Sequence, residues 1–128
     1  MQLHHIGVAC RDIETEIGNI SRIHTVVHRT HVVYDPCQDA TLAMLTLADG
    51  TRIELIAGTP VKTLLRKGVG YYHLCFEVDD IDSEIERLLG QDAVLLSPPQ
   101  PAVLFDGRKV AFLHASYGIV ELLSANKD

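Results

Sequence analysis

Apolar and polar residues alternate from residue 3 to residue 10, the two-residue period of a strand. The period then lengthens. Ile13, Ile17 and Ile20 recur on one helical face, which predicts a helix over 13–22. Asp12 stands where an N-cap belongs, with Glu14 and Glu16 near the positive end of the helix. Residues 25–34, rich in Val and Thr, predict a second strand, ended by Asp35-Pro36 because proline has no N–H for a ladder. Residues 40–47 and 51–57 predict two more strands around the turn Ala48-Asp49-Gly50. The connector over 59–69 starts at Thr59-Pro60 and predicts about two helical turns over Val61 to Lys67, closed by Gly68.

The plan then recurs. A strand is expected over 70–78 and a helix over 81–89, opened by Asp80 and closed by Gly90. A strand follows over 93–97. Pro98, Pro99 and Pro101 predict an irregular loop. Two final strands are expected over 109–115 and 118–124, with Tyr117-Gly118 at their turn, and Ala125 to Asp128 are expected to be loose. Both halves therefore read β-α-β-β-β, and the fold class is α+β.

The recurrence is also one of residues. His5, Asp12, Ile13, Glu16 and Ile17 match His73, Asp80, Ile81, Glu84 and Ile85 at a constant offset of 68. Ala43-Met44-Leu45 matches Ala111-Phe112-Leu113, and Gly50 matches Gly118, at the same offset. One residue is lost at the turn. Arg52-Ile53-Glu54-Leu55-Ile56 then matches Ile119-Val120-Glu121-Leu122-Leu123 at 67. This is an internal duplication, read as one domain over 1–128 with a first module over about 1–58, a linker over 59–69 and a second module over about 70–125.

Composition narrows the function. A net charge of -6 and the absence of Trp argue against a nucleic-acid partner, which calls for a basic face and stacking rings. No apolar run approaches the roughly 20 residues of a membrane span. The N-terminus lacks the basic and apolar regions of a signal peptide, so a cytoplasmic location is expected. Cys10, Cys37 and Cys75 are an odd count without C-x-x-C spacing and read as reduced thiols.

The duplication singles out one His on each first strand and one Glu on each last strand. A carboxylate inside Arg-Ile-Glu-Leu-Ile or Ile-Val-Glu-Leu-Leu is costly to bury unless it is paired, metal-bound or facing a wet cavity. His5, Glu54, His73 and Glu121 make a two-His, two-carboxylate set suited to a divalent zinc, nickel, cobalt or manganese ion. Such an ion could act as a Lewis acid on a carbonyl substrate and stabilise an enolate, with Glu54 or Glu121 moving the proton. A single strand His or Glu is more often a core or surface residue; four positions coinciding under a repeat favour the site. Tyr71 and Cys75 should share the face of His73 by the two-residue period, and Arg52 shares a face with Glu54, so all three are candidates for contacting substrate. His4 should point away. His28, His31 and His114 are weaker candidates, and Arg66-Lys67 and Arg108-Lys109 read as solvated surface.

At these residues the chain resembles the vicinal oxygen chelate superfamily, the group of glyoxalase I, methylmalonyl-CoA epimerase, bleomycin-resistance proteins and extradiol dioxygenases. The runs His4-His5-Ile6-Gly7-Val8-Ala9 and His73-Leu74-Cys75-Phe76-Glu77-Val78-Asp79-Asp80-Ile81 are similar to the epimerase branch. The resemblance implies two modules packed into a cup-shaped mixed sheet with helices outside, a divalent ion held by His5, Glu54, His73 and Glu121, and commonly a homodimer. Two departures stand out. Epimerases carry a further catalytic Glu on the third strand of the first module, where the alignment places Ala43. The helix after the first strand lacks the aromatic pattern of the glyoxalase branch. The leading expectation is a metal-dependent lyase or isomerase acting on a small carbonyl compound or acyl thioester. The alternative is a non-catalytic, ligand-sequestering protein of the bleomycin-resistance type.

Overall fold

The computed structural model describes residues 1–126 and divides the chain into two compact units. One runs from His5 to Tyr72; the other comprises Met1–His4 and the chain from His73 onward. They are called here the N-terminal and C-terminal units. The elements in chain order are β1 (Gln2–Ala9), α1 (Ile13–Ile23), β2 (Val26–Arg29), β3 (Val33–Asp35), β4 (Ala40–Leu47), β5 (Arg52–Gly58), α2 (Lys62–Arg66), β6 (Tyr71–Val78), α3 (Ile81–Leu89), β7 (Val94–Pro101), β8 (Lys109–Ala115) and β9 (Gly118–Ser124). Among the described residues no helix is long and apolar enough to cross a membrane.

In the N-terminal unit the sheet runs β2-β4-β5-β1, with β3 also on β4. β1 lies parallel to β5, and the other pairs are antiparallel. The C-terminal unit repeats the order as β7-β8-β9-β6, with β6 parallel to β9. A first strand thus lies beside the last strand of its own module, the arrangement that brings the duplicated His and Glu onto neighbouring strands.

One helix covers one face of each sheet. Ile13 and Ile17 of α1 pack on Ala43, Leu45 and Leu55. Their duplicates Ile81 and Ile85 of α3 pack on Ala111, Leu113, Val120 and Leu122. Each such isoleucine removed from water contributes about 1.5–3 kcal/mol. Both helices start on the predicted aspartate. Asp12 accepts from the Thr15 backbone N–H at 2.9 Å and the Thr15 hydroxyl at 2.7 Å. Asp80 accepts from the Ser83 backbone N–H at 3.1 Å.

The structure corrects the expected elements at four places. The strand expected over 25–34 is two strands, divided after Arg29: Thr30 N–H still donates to Met44 O at 2.9 Å, but its hydroxyl, in place of its carbonyl, accepts from Met44 N–H at 2.8 Å. The prolines at 98, 99 and 101 do not form a loop; they lie in β7, an end strand of the unit's sheet, with register shifts on either side of Ser97. An edge tolerates missing N–H donors that a central strand would not. Gly90 caps α3 in a right-handed conformation, and the left-handed residue is Asp92 (φ 68°). Ala125 is tied down by its N–H to Val78 O at 2.8 Å, whereas the expectation of a loose end at Lys127 and Asp128 lies outside the described residues.

Candidate functional site

Strand pairing fixes which side chains stand together. In the N-terminal unit Gly7 is the register partner of Glu54, so Glu54 lies beside the residue two after His5. In the C-terminal unit Cys75 is the partner of Glu121, again two after the histidine. The register is identical in both units. It follows from the duplication and places each carboxylate on the same sheet face as its histidine.

The side chains meet accordingly. His5 Nε2 lies 3.3 Å from Glu54 Oε1, and His73 Nε2 lies 3.0 Å from Glu121 Oε1. All four residues are buried, with Glu121 1% and Glu54 3% exposed. Each unit therefore holds an imidazole nitrogen against a carboxylate oxygen in a setting largely sealed from water. Imidazole nitrogen and carboxylate oxygen are ligand atoms for zinc and its first-row neighbours, and burial of a carboxylate is offset by a cation. The residues present fit a divalent ion.

Two residues facing these pairs escaped the sequence reading. Met44 is the partner of Glu54 across β4–β5, and Phe112 is the partner of Glu121 across β8–β9. The Phe112 ring meets His73 edge-on, with centroids 5.4 Å apart at 80°. Met44 and Phe112 are themselves a repeat pair at the offset of 68, and that signal could have found them. Ala43, by contrast, is fully buried against α1 with Cys10, Ile13 and Ile17. It faces away from Glu54, so the position opposite Glu54 belongs to Met44. No carboxylate stands at either residue.

The candidates for substrate contact separate. Cys75 is buried on the face of His73. Arg52 is exposed at the start of β5, two residues before Glu54. Tyr71 is 80% exposed and lines a cavity of about 480 Å³ with Ile6, Val8, His24 and Ile53. Val8 and Ile53 pack toward α1, on the side opposite His5 and Glu54.

Other expectations change too. His4 packs edge-on against Phe105, with ring centroids 5.5 Å apart. His114 is exposed near the end of β8. Arg108 is not a solvated cation. Its Nε donates to Ser124 O at 2.7 Å and its guanidinium pairs with Glu77, fastening β8, β9 and β6 within the C-terminal unit. Lys109 is exposed.

Residues 4–112 match the family model of the glyoxalase/bleomycin resistance protein/dioxygenase superfamily. The chain belongs to this superfamily. It is 30% identical over 120 residues to the ethylmalonyl-CoA/methylmalonyl-CoA epimerase of Cereibacter sphaeroides, covering 88% of this chain and 87% of that protein. It is 33% identical over 122 residues to the mitochondrial methylmalonyl-CoA epimerase of Dictyostelium discoideum, covering 88% of this chain and 70% of that one. The crystal structure of methylmalonyl-CoA epimerase from Mycobacterium tuberculosis superposes with a TM-score of 0.81 at 22% identity, over 98% of this chain and 88% of that one. At that identity the likeness speaks for the fold.

Proposed function

We propose that the protein is a divalent-metal-dependent isomerase of the epimerase type, acting on an acyl thioester or related small carbonyl compound. One observation carries the reading: the same buried His–Glu pair, in the same strand register, occurs in each unit. Its four side chains, His5, Glu54, His73 and Glu121, would together hold one ion. The two epimerases at 30% and 33% identity support the reaction class.

When bound, the ion would supply positive charge to the carbonyl oxygen of the substrate and so make the adjacent carbon more acidic. The chain's own residues account for the rest. A carboxylate of one pair, Glu121, takes the proton from the carbon next to the carbonyl and leaves the substrate as an enolate. Return of a proton from the carboxyl of the other pair, Glu54, to the opposite face of that carbon inverts it; return from Glu121 restores the starting isomer. His5 and His73 orient the two carboxylates through their Nε2 contacts. Met44 and Phe112 supply apolar surface beside the carboxylates, which keeps water from competing for the proton.

This scheme needs no carboxylate at position 43 or 44. It assigns both proton transfers to the duplicated glutamates. The test is metal content of the protein purified without chelator, together with exchange of the substrate's alpha proton in heavy water. We expect a divalent ion at about one per chain and solvent deuterium in methylmalonyl-CoA. His73→Ala should lose both. Protein free of metal, with no exchange after zinc, nickel, cobalt or manganese is added, would remove the proposal and leave a ligand-sequestering role.

A further inference from the structure

The side of the N-terminal sheet that α1 covers carries an open groove. The cavity of about 480 Å³ that Tyr71 lines joins a second of about 270 Å³, since Val8, Ile23, His24, Ile53 and Tyr71 line both. Together they have the size of a small-molecule site. Val8 and Ile53 pack toward α1, so the groove lies across the sheet from His5 and Glu54. Among the described residues, neither Lys nor Arg lines either cavity.

The ends of the groove differ from its middle. Glu16 lines only the smaller cavity and Asp49 only the larger, while the shared Val8, Ile23 and Ile53 are apolar. Glu16, Ile20 and Ile23 follow one another at helical spacing and form one stripe along α1. Glu16 lies in the first turn of that helix. Asp49 stands by its other end, because Ala48 N–H donates to Thr25 O at 2.9 Å, just past the C-cap His24. From Glu16 to His24 the helix axis rises about 12 Å. Hydrogen bonds from Thr51, and to a lesser extent the nearby His24, hold the Asp49 carboxyl below its ordinary 3.8, so it is ionised at neutral pH. Glu16 is half-buried and accepts from the Asn19 amide at 3.4 Å. Arg22 of the same helix is engaged by the Asn19 carbonyl.

We propose that this groove binds an aliphatic diamine, with one ammonium at Glu16, the other at Asp49 and the methylene chain along Val8, Ile23, Ile53 and Tyr71. The charge pattern selects this occupant. A carboxylate at each end attracts a cation at each end, and charge-assisted hydrogen bonds fix the two ammonium groups. The apolar middle takes methylene groups out of water. An extended octamethylene chain spans the rise of about 12 Å between the two ends. A monoamine answers one end only, and an anionic chain is repelled by both. The site lies apart from the His–Glu pairs, so it stands or falls independently of the metal reading.

The probe is 1,8-diaminooctane, titrated into the full chain by isothermal titration calorimetry beside octylamine, ethylenediamine and octanoate. The diamine should bind most tightly, with octylamine weaker by about fivefold, the upper range for an ion pair near solvent. Glu16→Gln and Asp49→Asn should each bring the diamine down to the level of octylamine. Tyr71→Ala should weaken diamine and monoamine alike, since it removes apolar lining. Equal binding of octylamine and the diamine overturns the proposal, as does equal binding of octanoate or ethylenediamine. So does diamine binding that survives unchanged in both Glu16→Gln and Asp49→Asn. Wild-type protein that binds no diamine, with a sedimentation coefficient that falls in Tyr71→Ala, also overturns it and assigns the groove to a second copy of the chain.

Discussion

Glu121 lies on β9 between Val120 and Leu122, with 1% of its surface exposed. An ionised carboxylate so placed costs several kcal/mol unless a partner offsets it. His73, 3.0 Å away, is part of that offset, and a divalent ion would supply the remainder. Replacing Glu121 with Gln keeps the shape and removes the charge. We expect Glu121→Gln to fold, to lower zinc affinity by about 10–100-fold and to abolish proton exchange, as read by calorimetry and by deuterium incorporation. The thiols give a second expectation. Burial, then the charges of Glu16 and Asp12, push the Cys10 thiol up to about 11. Cys75 is sealed from solvent, and only Cys37 of the three is exposed. Iodoacetamide at neutral pH should therefore add one label, at Cys37, by mass spectrometry.

At the scale of elements, the helices were the most legible part. An aspartate cap, acidic residues in the first turn and isoleucines four apart state a helix and its buried face without outside help. Asp80→Ala leaves the α3 N-terminus without its side-chain acceptor, and a drop in Tm of roughly 3–6 °C is expected. Ile85→Ala empties part of the core between α3 and the sheet, at a cost of about 2–5 kcal/mol by urea denaturation. The edge strands were least legible. β7 carries three prolines yet pairs with β8, and β2 and β3 divide at Thr30. Prolines at an edge and a hydroxyl replacing a carbonyl are both permitted only by the neighbouring strand, which local sequence does not reveal.

At the scale of the whole molecule, charge sets the pH response. Hydrogen bonds from Thr15 hold the Asp12 carboxyl below its ordinary 3.8, and Arg29 holds Glu14 below its ordinary 4.5. Thr59 and Tyr34 do the same for Asp39. For an acid depressed in the folded state, the stabilisation is complete above its ordinary value and vanishes as pH falls through the folded one. Tm should thus be level from neutral pH to about 5 and fall below about 4.5. Because these groups are exposed, salt should flatten that fall. Cys10 acts at the other end. Its raised value favours the neutral thiol in the fold, so stability declines as pH rises above 9.0. A bound ion adds stability by mass action, about 2.7 kcal/mol at one hundred times its Kd. A zinc-dependent rise in Tm that disappears in His73→Ala would confirm where the ion sits.

By itself the sequence determined the duplicated plan, the caps, the buried helix faces and the four residues worth pairing. Each of these follows from local periodicity or from a repeat at fixed offset, and both survive as patterns in one dimension. Tertiary structure decided which residues face the pairs. Ala43 and Met44 are neighbours in the chain, yet one packs on α1 and the other faces Glu54. That choice belongs to the register between β4 and β5, since sliding a strand by one residue exchanges its two faces.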